Sequence, residues 1–432
     1  MNILLFGKIP PIQGGVSRAT WRAAVDLAKA GHEVDVISNA DAMPPGFRQI
    51  LNEEDRARYD SVPTLHVYMT QAVSPFAYIP WTDPFLSQMI GVARRVVAER
   101  RPDVVIGWYF EPYGLAASII GQILGIPVFL RHAGSDIGRL AEHPDLACAY
   151  RPMLEEAACV MTSLRGDAVD RLVAAGADPA RIRRMRGSTL EPEFRNTDAM
   201  DLADQAARAK TAFEVYDLPD DLHTRLIEWN EAALEADDPI VGTYGKIAEV
   251  KGTYQLIDAL DRLARAGRPV RYVGVWSATR GRFIHALRAL FERPALHGRA
   301  MVLPPLAPWR VPAFIRSCDA VAFLENRFPI DIHGPQVPRE VLACGVPLVL
   351  SGEIAEKLFF RDQLVDGRNA AIVPDPEDRK SLADVLWRVL RNPAAGRAIG
   401  HHGQTLSRAI EAGAPATDGI VELMVEMTEI AA

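Results

Sequence analysis

Lysine is scarce in this chain. The sequence of 432 residues contains 48 lysines and arginines together, and only seven of these are lysines, at positions 8, 29, 210, 246, 251, 357 and 380. The formal net charge is −7, so the chain lacks the basic excess that general nucleic-acid binding requires. We therefore expect no nucleic-acid partner.

Cysteines and long apolar runs are also few. The four cysteines stand in apolar surroundings without ligand-like pairing, so we expect buried reduced thiols and no structural zinc. They are Cys148, Cys159, Cys318 and Cys344. The longest apolar stretch, 116–130, is interrupted by Gln122 and Pro127 and is too short for a membrane span. No signal peptide is visible at the first residues. These absences predict a cytoplasmic protein, and they leave contact with a membrane surface open.

Apolar strands alternate with amphipathic helices along most of the chain. The first unit is a strand at 2–7, a helix that Ser17 can cap, and a strand at 33–38. The same rhythm returns over 103–186 and again over 239–374. Strands alternating with helices predict parallel sheets covered on both faces. The fold class is therefore α/β, with two doubly wound, Rossmann-like domains.

The boundaries follow from the places where this rhythm stops. We expect an N-terminal domain over 1–194, a polar helical connection over 195–238, a C-terminal domain over 239–394 and C-terminal helices over 395–432. In doubly wound sheets, ligands bind beyond the carboxyl ends of the strands. The functional residues should therefore directly follow strands.

Two glycines precede the first helix. Gly14 and Gly15 allow a ligand to approach the backbone, and the helix start beyond them offers free N–H groups to an anion. A tight turn without a ligand is the alternative. The loop is long and contains prolines, so the GxGxxG pattern of dinucleotide dehydrogenases is not matched.

A histidine and an aspartate follow the strand 127–130. His132 can donate a hydrogen bond or act as a base, and Asp136 lies beside it in the same loop. The sequence is equally compatible with a capped turn in which both side chains bond to the backbone.

Two of the seven lysines flank the start of a later helix. Lys246 and Lys251 stand in "GKIAEVKG", directly after the strand 239–244. Lysine supplies a mobile positive charge for phosphate oxygens, and a helix start favours phosphate. This position favours anion binding over ordinary surface charge.

The segment 325–351 contains a carboxylate near a helix start. Its loop holds His333 and Gly334, and the short helix after it holds Glu340. A carboxylate beside a nucleotide can accept both ribose hydroxyls; the alternative is a simple complement to the helix dipole. Cys344 has no activating base in the sequence near it and is expected to be a packed thiol.

In this order the motifs resemble those of the retaining glycosyltransferases of family 4, which have the two-domain GT-B fold. The resemblance rests on Gly-Gly after the first strand, "AGHEVDVIS", "RHAGSDI", "GKIAEVKG" and "PREVLACGVPLVLS", and covers roughly 1–190 and 239–390. "CVMTSLRGDAVDRLVAAGADPARIRRMRGS" also resembles the segment that closes the N-terminal domain in that family.

The resemblance implies roles for individual residues. Gly14 and Gly15 would lie near the donor diphosphate, Lys246 and Lys251 would hold it, and His333 and Gly334 would belong to the donor site. Glu340 would bind the ribose. His132 would lie near the reaction centre with Asp136 beside it, and both are the candidate catalytic residues.

One position departs from the family pattern. The family usually has a second glutamate eight residues before the ribose-binding one, and this chain has Ile332 there. Asp331, His333 and Glu325 are the candidates to replace it. The departure concerns recognition of the donor sugar.

The sequence thus predicts a hexosyltransferase that uses a nucleotide-diphosphate sugar as co-substrate and needs no metal or other cofactor. The acceptor hydroxyl would belong to a small molecule, a glycan or a lipid-linked compound, and transfer would proceed with retention. Two alternatives stay open: another GT-B enzyme such as a nucleotide-sugar epimerase, or a non-catalytic sugar-nucleotide-binding protein.

Overall fold

Two parallel sheets form the cores of two domains. The computed structural model describes residues 1–43, 45–71, 84–162, 167–185, 190–330, 332, 334–412 and 419–431. The first sheet holds β1 (Asn2–Gly7), β2 (Glu33–Ser38), β3 (Leu65–Met69), β4 (Val104–Trp108), β5 (Val128–Arg131), β6 (Cys159–Thr162) and β7 (Ile182–Arg184). The second holds β8 (Ile240–Lys246), β9 (Arg271–Ser277), β10 (Ala300–Leu303), β11 (Ala320–Phe323), β12 (Leu348–Ser351) and β13 (Ala371–Val373).

Helices cover the faces of both sheets. In the N-terminal domain these are α1 (Gly15–Lys29), α2 (Glu53–Ala57), α3 (Phe85–Glu99), α4 (Leu115–Leu124), α5 (Pro144–Glu156) and α6 (Asp167–Ala174). Around the second sheet lie α7 (Leu202–Ala212), α8 (Asp220–Ala232), α9 (Thr253–Arg265), α10 (Arg280–Phe291), α11 (Val311–Arg316), α12 (Val337–Cys344), α13 (Gly352–Lys357) and α14 (Arg379–Leu390). The chain ends with α15 (Pro393–Ala412) and α16 (Ile420–Ala431).

Both sheets reverse their strand order next to their first strand. The first sheet runs β3-β2-β1-β4-β5-β6-β7 and the second runs β10-β9-β8-β11-β12-β13, with parallel pairing throughout the described strands. Crevices open where strand order reverses, so the loops after β1 and β8 lie at the ligand-binding edge of each sheet. The prediction of two doubly wound domains is confirmed.

The chain passes between the domains twice. Leu190 and Phe194 already belong to the core of the second sheet, together with the buried faces of α7 and α8. The side-chain amide of Asn230 on α8 exchanges two hydrogen bonds of 2.8 Å with the backbone of Val302. After α15 the chain returns, and α16 packs Ile420 and Met424 into the N-terminal core.

Three of the four cysteines lie in the interior of the protein. Cys159, Cys318 and Cys344 are buried, whereas Cys148 is exposed. The expectation of a buried thiol is therefore wrong for Cys148, because its position on α5 faces solvent. Burial raises the pKa of Cys344 to about 12, which keeps it an unreactive thiol.

Among the described helices, none has the length and apolar character needed to cross a membrane.

Candidate functional site

The glycine loop lies against the C-terminal domain. Gly14 caps α1 with a left-handed φ of 121°, which favours glycine, and the helix begins at Gly15 rather than at Ser17. A Cβ on Gly15 would lie 3.5 Å from Cγ of Gln336, just before α12. The first turn of α1 carries no acidic residue. Its N–H groups therefore remain suited to an anion at the cleft between the domains.

One turn further along α1, a buried arginine crosses the cleft. Nη2 of Arg18 lies 3.1 Å from Oε1 of Glu340, and Nη1 lies 3.1 Å from Oε2 of Glu191. Burial opposes the positive charge, but the carboxylates of Glu340 and Glu191 outweigh it and raise the pKa of Arg18. The sequence reasoning missed this residue. Its only signal was an arginine at a core-facing position of an amphipathic helix.

Glu340 is held from both sides. The hydroxyl of Tyr244 on β8 donates to its Oε2 at 2.6 Å, while Arg18 approaches Oε1. Burial, reinforced by the charge of Glu340, raises the pKa of Tyr244 well above its usual value, so the phenol stays a neutral donor. The carboxylate that the resemblance assigns to ribose is thus fixed at the domain interface.

The lysine loop after β8 brings both predicted lysines to the cleft. Nζ of Lys251 pairs with the buried carboxylate of Glu325 and lies 3.9 Å from the ring centroid of Phe328. Gly252 follows with a left-handed φ of 73°, and a Cβ there would come within 2.4 Å of Leu324. Only glycine fits at this position, so the turn places Lys251 at the start of α9.

Lys246 reaches toward the N-terminal domain. Its Nζ lies 5.7 Å from the ring centroid of Phe47. The side chain is exposed, but neighbouring protein atoms partly desolvate its ammonium group. This desolvation, followed by the positive charges of Lys251 and Arg282, lowers the pKa of Lys246. Unlike Lys251, Lys246 has no carboxylate within ion-pairing distance among the residues that the structure describes. Its charge is therefore available to a ligand.

A third lysine, also missed, follows β1. Nζ of Lys8 lies 4.0 Å from the ring centroid of Tyr109, at the end of β4. Burial and then the charge of Lys246 lower its pKa to about 8, against the opposing effect of Asp136. Two signals were available in the sequence: its place directly after the first strand, and the scarcity of lysine elsewhere.

His132 and Asp136 are buried side by side beneath this surface. Nε2 of His132 shares a 2.6 Å hydrogen bond with Oγ1 of Thr162, and its Nδ1 lies 3.9 Å from Oδ1 of Asp136. Burial and the charge of Arg131 hold the pKa of His132 well below its usual value. The ring is therefore neutral at physiological pH.

Asp136 binds the backbone of its own loop. Its carboxylate accepts from the N–H groups of Ala133 at 3.0 Å, Ile137 at 3.1 Å and Phe110 at 3.4 Å. Burial raises its pKa to about 6 even though these donors favour the charged form. This is the geometry of a capped turn, and it also fixes the position of His132.

At the sugar end, an apolar side chain fills the place of the family's carboxylate. Ile332 is buried and belongs to the cluster formed by Phe110, Ile137 and other N-terminal residues. A Cβ on Gly138 would lie 3.8 Å from the Cβ of Ile332.

Glu325, one of the three candidates to replace the missing carboxylate, forms an ion pair with Lys251. The other two candidates, Asp331 and His333, lie outside the described residues. Gly334 lies two residues before Gln336 and accepts its side-chain N–H at 3.4 Å.

A second set of contacts joins the domains through the segment between β2 and β3. Oδ1 of the buried Asp55 accepts from Nε1 of Trp309 at 2.6 Å and from Nε of Arg310 at 2.8 Å. Oγ of Ser277 donates to the carbonyl of Gly46 at 3.1 Å. The segment between β2 and β3 thus joins the two domains in this arrangement.

The structure brings most of the predicted site to one cleft. Gly15 and Glu340 meet there through Gln336 and Arg18, and the lysine loop borders the same cleft through Phe47. His132 and Asp136 lie in the buried layer below. The arrangement can hold an anion between two domains and can present a fixed carboxylate to a polar ligand.

Comparison with known proteins gives consistent results for the two halves. Residues 14–186 match the family model "Glycosyl transferase 4-like domain", and residues 227–406 match "Glycosyl transferases group 1". A curated relative is the D-inositol 3-phosphate glycosyltransferase of Xylanimonas cellulosilytica, 26% identical over 191 residues. That alignment covers 44% of this chain and 43% of the relative, so this chain spans less than half of its length.

Two solved structures cover essentially the whole chain. HepE of Anabaena, crystallised with UDP-glucose, has a TM-score of 0.64 and 13% identity, and each chain is covered fully. The sucrose-phosphate synthase of Thermosynechococcus elongatus has a TM-score of 0.64 and 16% identity, covering 100% of this chain and 98% of that one. These likenesses show that the present chain has the GT-B fold.

Proposed function

Because this chain carries both domains of a GT-B glycosyltransferase, we propose that it moves a hexosyl group from a nucleotide-diphosphate sugar to an acceptor hydroxyl with retention. One observation carries the proposal: the glycine loop at the start of α1 lies beside Gln336, where a Cβ on Gly15 would come to 3.5 Å, and Arg18 behind it pairs with Glu340. The anion-binding helix start of one domain and the ribose-type carboxylate of the other therefore face the same cleft.

The leaving diphosphate would be stabilised by charges from the protein. As the bond from sugar to phosphate oxygen breaks, negative charge builds on the diphosphate. Lys246 and Lys251 border the cleft on one side, and the N–H groups of the first turn of α1, which begins at Gly15, border it on the other. Fixed donors of this kind stabilise the transition state without reorganising. We therefore expect no divalent metal to be required.

The nucleoside would be held by Glu340. Its carboxylate is oriented by Tyr244, and an oriented carboxylate can accept hydrogen bonds from two neighbouring ribose hydroxyls. HepE was crystallised with UDP and with UDP-glucose, which makes uridine diphosphate the first nucleotide to test. The ribose hydroxyls would compete with Arg18 for the carboxylate oxygens of Glu340. We therefore expect nucleotide binding to change the Arg18–Glu340 contact between the domains.

His132 would position the acceptor side of the reaction centre. Its neutral ring is fully buried, with Nε2 bonded to Thr162, so donation to a sugar hydroxyl would require this hydrogen bond to open. Asp136 would act through it, since the carboxylate holds the loop in which His132 lies. The role proposed for Asp136 is thus one of positioning.

The test is slow donor hydrolysis. The protein is incubated with a panel of sugar nucleotides, beginning with UDP-glucose, and the released sugar is followed by proton NMR. We expect release of the sugar first in the anomeric form of the donor, unchanged by EDTA. Lys251→Ala should weaken nucleoside-diphosphate binding by about 1.5–3 kcal/mol, the range for hydrogen bonds to charged groups. The proposal is refuted if no donor is hydrolysed and no nucleoside diphosphate stabilises the protein against thermal unfolding.

Ile332 favours a second candidate, a non-catalytic sugar-nucleotide-binding protein. An apolar residue packed against the N-terminal domain cannot hydrogen-bond to the sugar hydroxyls that a carboxylate would recognise. Tight nucleotide binding with no turnover of any donor, in the presence of a broad acceptor mixture, would support this candidate over the first.

A further inference from the structure

Lys8 directly follows β1 of the N-terminal domain, and Lys246 is the last residue of β8 in the C-terminal domain. Lys8 begins the segment that runs from β1 to α1. In the same segment, the backbone N–H of Gln13 donates to the carbonyl of Phe47 at 2.9 Å. Lys246 extends from β8 to within 5.7 Å of the Phe47 ring. The charge of Lys246 also acts on Lys8, so the two ammonium groups, one on each domain, lie within electrostatic range of each other.

Neither of these lysines is paired with a carboxylate of the residues that the structure describes. Within the described ranges, no carboxylate lies within 4.0 Å of either ammonium group, whereas Lys210, Lys251 and Lys357 each have one. The charges that act on Lys8 are those of Lys246, which opposes its positive charge, and Asp136, which favours it. Two partly desolvated like charges held near each other raise the free energy of the closed cleft, and a bound anion would lower it.

The position of Lys8 is fixed by a strained residue. Its ammonium group lies over the ring of Tyr109, whose φ of 85° is rare for a non-glycine residue. The phenol shares a 2.9 Å hydrogen bond with Ser135, and the backbone N–H donates to Arg131 at 2.7 Å. An aromatic face holds a cation without neutralising it. Lys8 is therefore held in place with its charge still available.

We propose that Lys8 and Lys246 together bind one anionic group, a phosphate or a carboxylate, that bridges the two domains. The inference rests on the proposed function and deepens it. The group has two sources of the same chemistry: the diphosphate of the donor, or a charged substituent of the acceptor or sugar. In either case Lys8 is a binding residue of the N-terminal domain, and the anion favours the closed cleft.

Matched variants test the inference. Lys8→Met removes the charge and keeps the stem over Tyr109, Lys8→Arg keeps the charge, and Lys29→Met is the control at the exposed end of α1. One calorimetric arm titrates uridine diphosphate, and the other titrates inorganic phosphate into protein saturated with uridine diphosphate. We expect Lys8→Met to weaken one arm by about tenfold or more, with Lys8→Arg close to wild type and Lys29→Met unchanged.

The affected arm identifies the source of the anion. A loss in the nucleotide arm assigns the site to the donor diphosphate, and a loss in the phosphate arm assigns it to a charged acceptor or sugar. Both arms unchanged in a folded Lys8→Met protein would overturn the inference. If wild-type protein binds no nucleoside diphosphate, the donor proposal fails by itself, and phosphate titrated into the free protein still decides the role of Lys8.

Proton uptake gives an independent readout. The pKa of Lys8 is about 8, and an anion beside the ammonium group would raise it. Binding at pH 8 should therefore take up protons, seen as a dependence of the binding enthalpy on the ionisation enthalpy of the buffer. Lys8→Met should reduce this uptake, and uptake equal to wild type would contradict the assignment.

Discussion

Arg18 and Glu340 connect the two domains through a nearly buried ion pair. The distance from Nη2 to Oε1 is 3.1 Å, and each side chain is only 7% exposed. The carboxylate expected to bind ribose is thus also a contact of the N-terminal domain. Binding at Glu340 and contact between the domains are therefore not independent.

Removing the arginine should cost stability. Arg18→Met leaves Glu340 and Glu191 without their shared cation, and breaking a buried pair typically costs about 3–5 kcal/mol. Urea unfolding would measure the loss. Arg22→Met is the control, because Arg22 pairs with Asp26 on a more exposed part of the same helix, and such pairs contribute about 1 kcal/mol or less. In the double variant Arg18→Met/Glu340→Gln the two losses should not add; full additivity would contradict direct coupling.

Lys246→Met should weaken ligand binding without lowering the stability of the fold. This lysine has no carboxylate partner among the described residues and has like charge near it, so its removal should leave the melting temperature unchanged or slightly higher. Affinity for uridine diphosphate should fall by roughly tenfold. Lys380→Met, at the exposed start of α14, is the matched control. A variant with lower stability and unchanged affinity would identify Lys246 as a structural residue.

Ile332→Glu tests whether the family's missing carboxylate can simply be restored. The new side chain would lie in the apolar cluster that contains Phe110 and Ile137, where an unpaired carboxylate costs several kcal/mol. We expect a lower urea midpoint without a gain in affinity for sugar nucleotides. Ile332→Val, which keeps the apolar contact, should cost about 0.5–1.5 kcal/mol. Undiminished stability of the glutamate variant would show that position 332 faces an open cleft.

Asp136 should make the protein less stable as the pH rises. Its pKa is about 6 in the folded protein, above the usual 3.8, so the folded state holds the proton more tightly than the unfolded state does. The resulting stabilisation is complete below about pH 4 and is lost as the pH rises through 6. The free energy of unfolding of wild type minus that of Asp136→Asn should fall over this range. A difference independent of pH would contradict the assigned pKa.

The fold was predictable because its strands are short, apolar and regularly spaced. The predicted strands 2–7 and 33–38 coincide with β1 and β2. The prediction assigned no element to β3, α3 and α5. Most of β3 is only half-buried, so its sequence lacks the apolar run that marks a central strand.

The cleft was predictable only in part. A position directly after a strand identifies the loops that line a ligand site, but it does not show which side chains of the other domain those loops contact. The lysine loop and Glu340 follow from such positions. Sequence spacing does not show that Glu340 meets Arg18, 322 positions earlier in the chain, or that Lys8 rests on Tyr109. These contacts arise when two separately folded sheets face each other, and the sequence carries no local signal for that packing.

The two domains share one chain at two places. Leu190 already belongs to the C-terminal core, whereas Ile420 and Met424 of α16 are buried in the N-terminal core. The half of the cleft that carries the glycine loop is therefore completed by residues from both ends of the chain. Loss of α16 would remove part of the core beneath the glycine loop although this helix lies more than 400 residues further along the sequence.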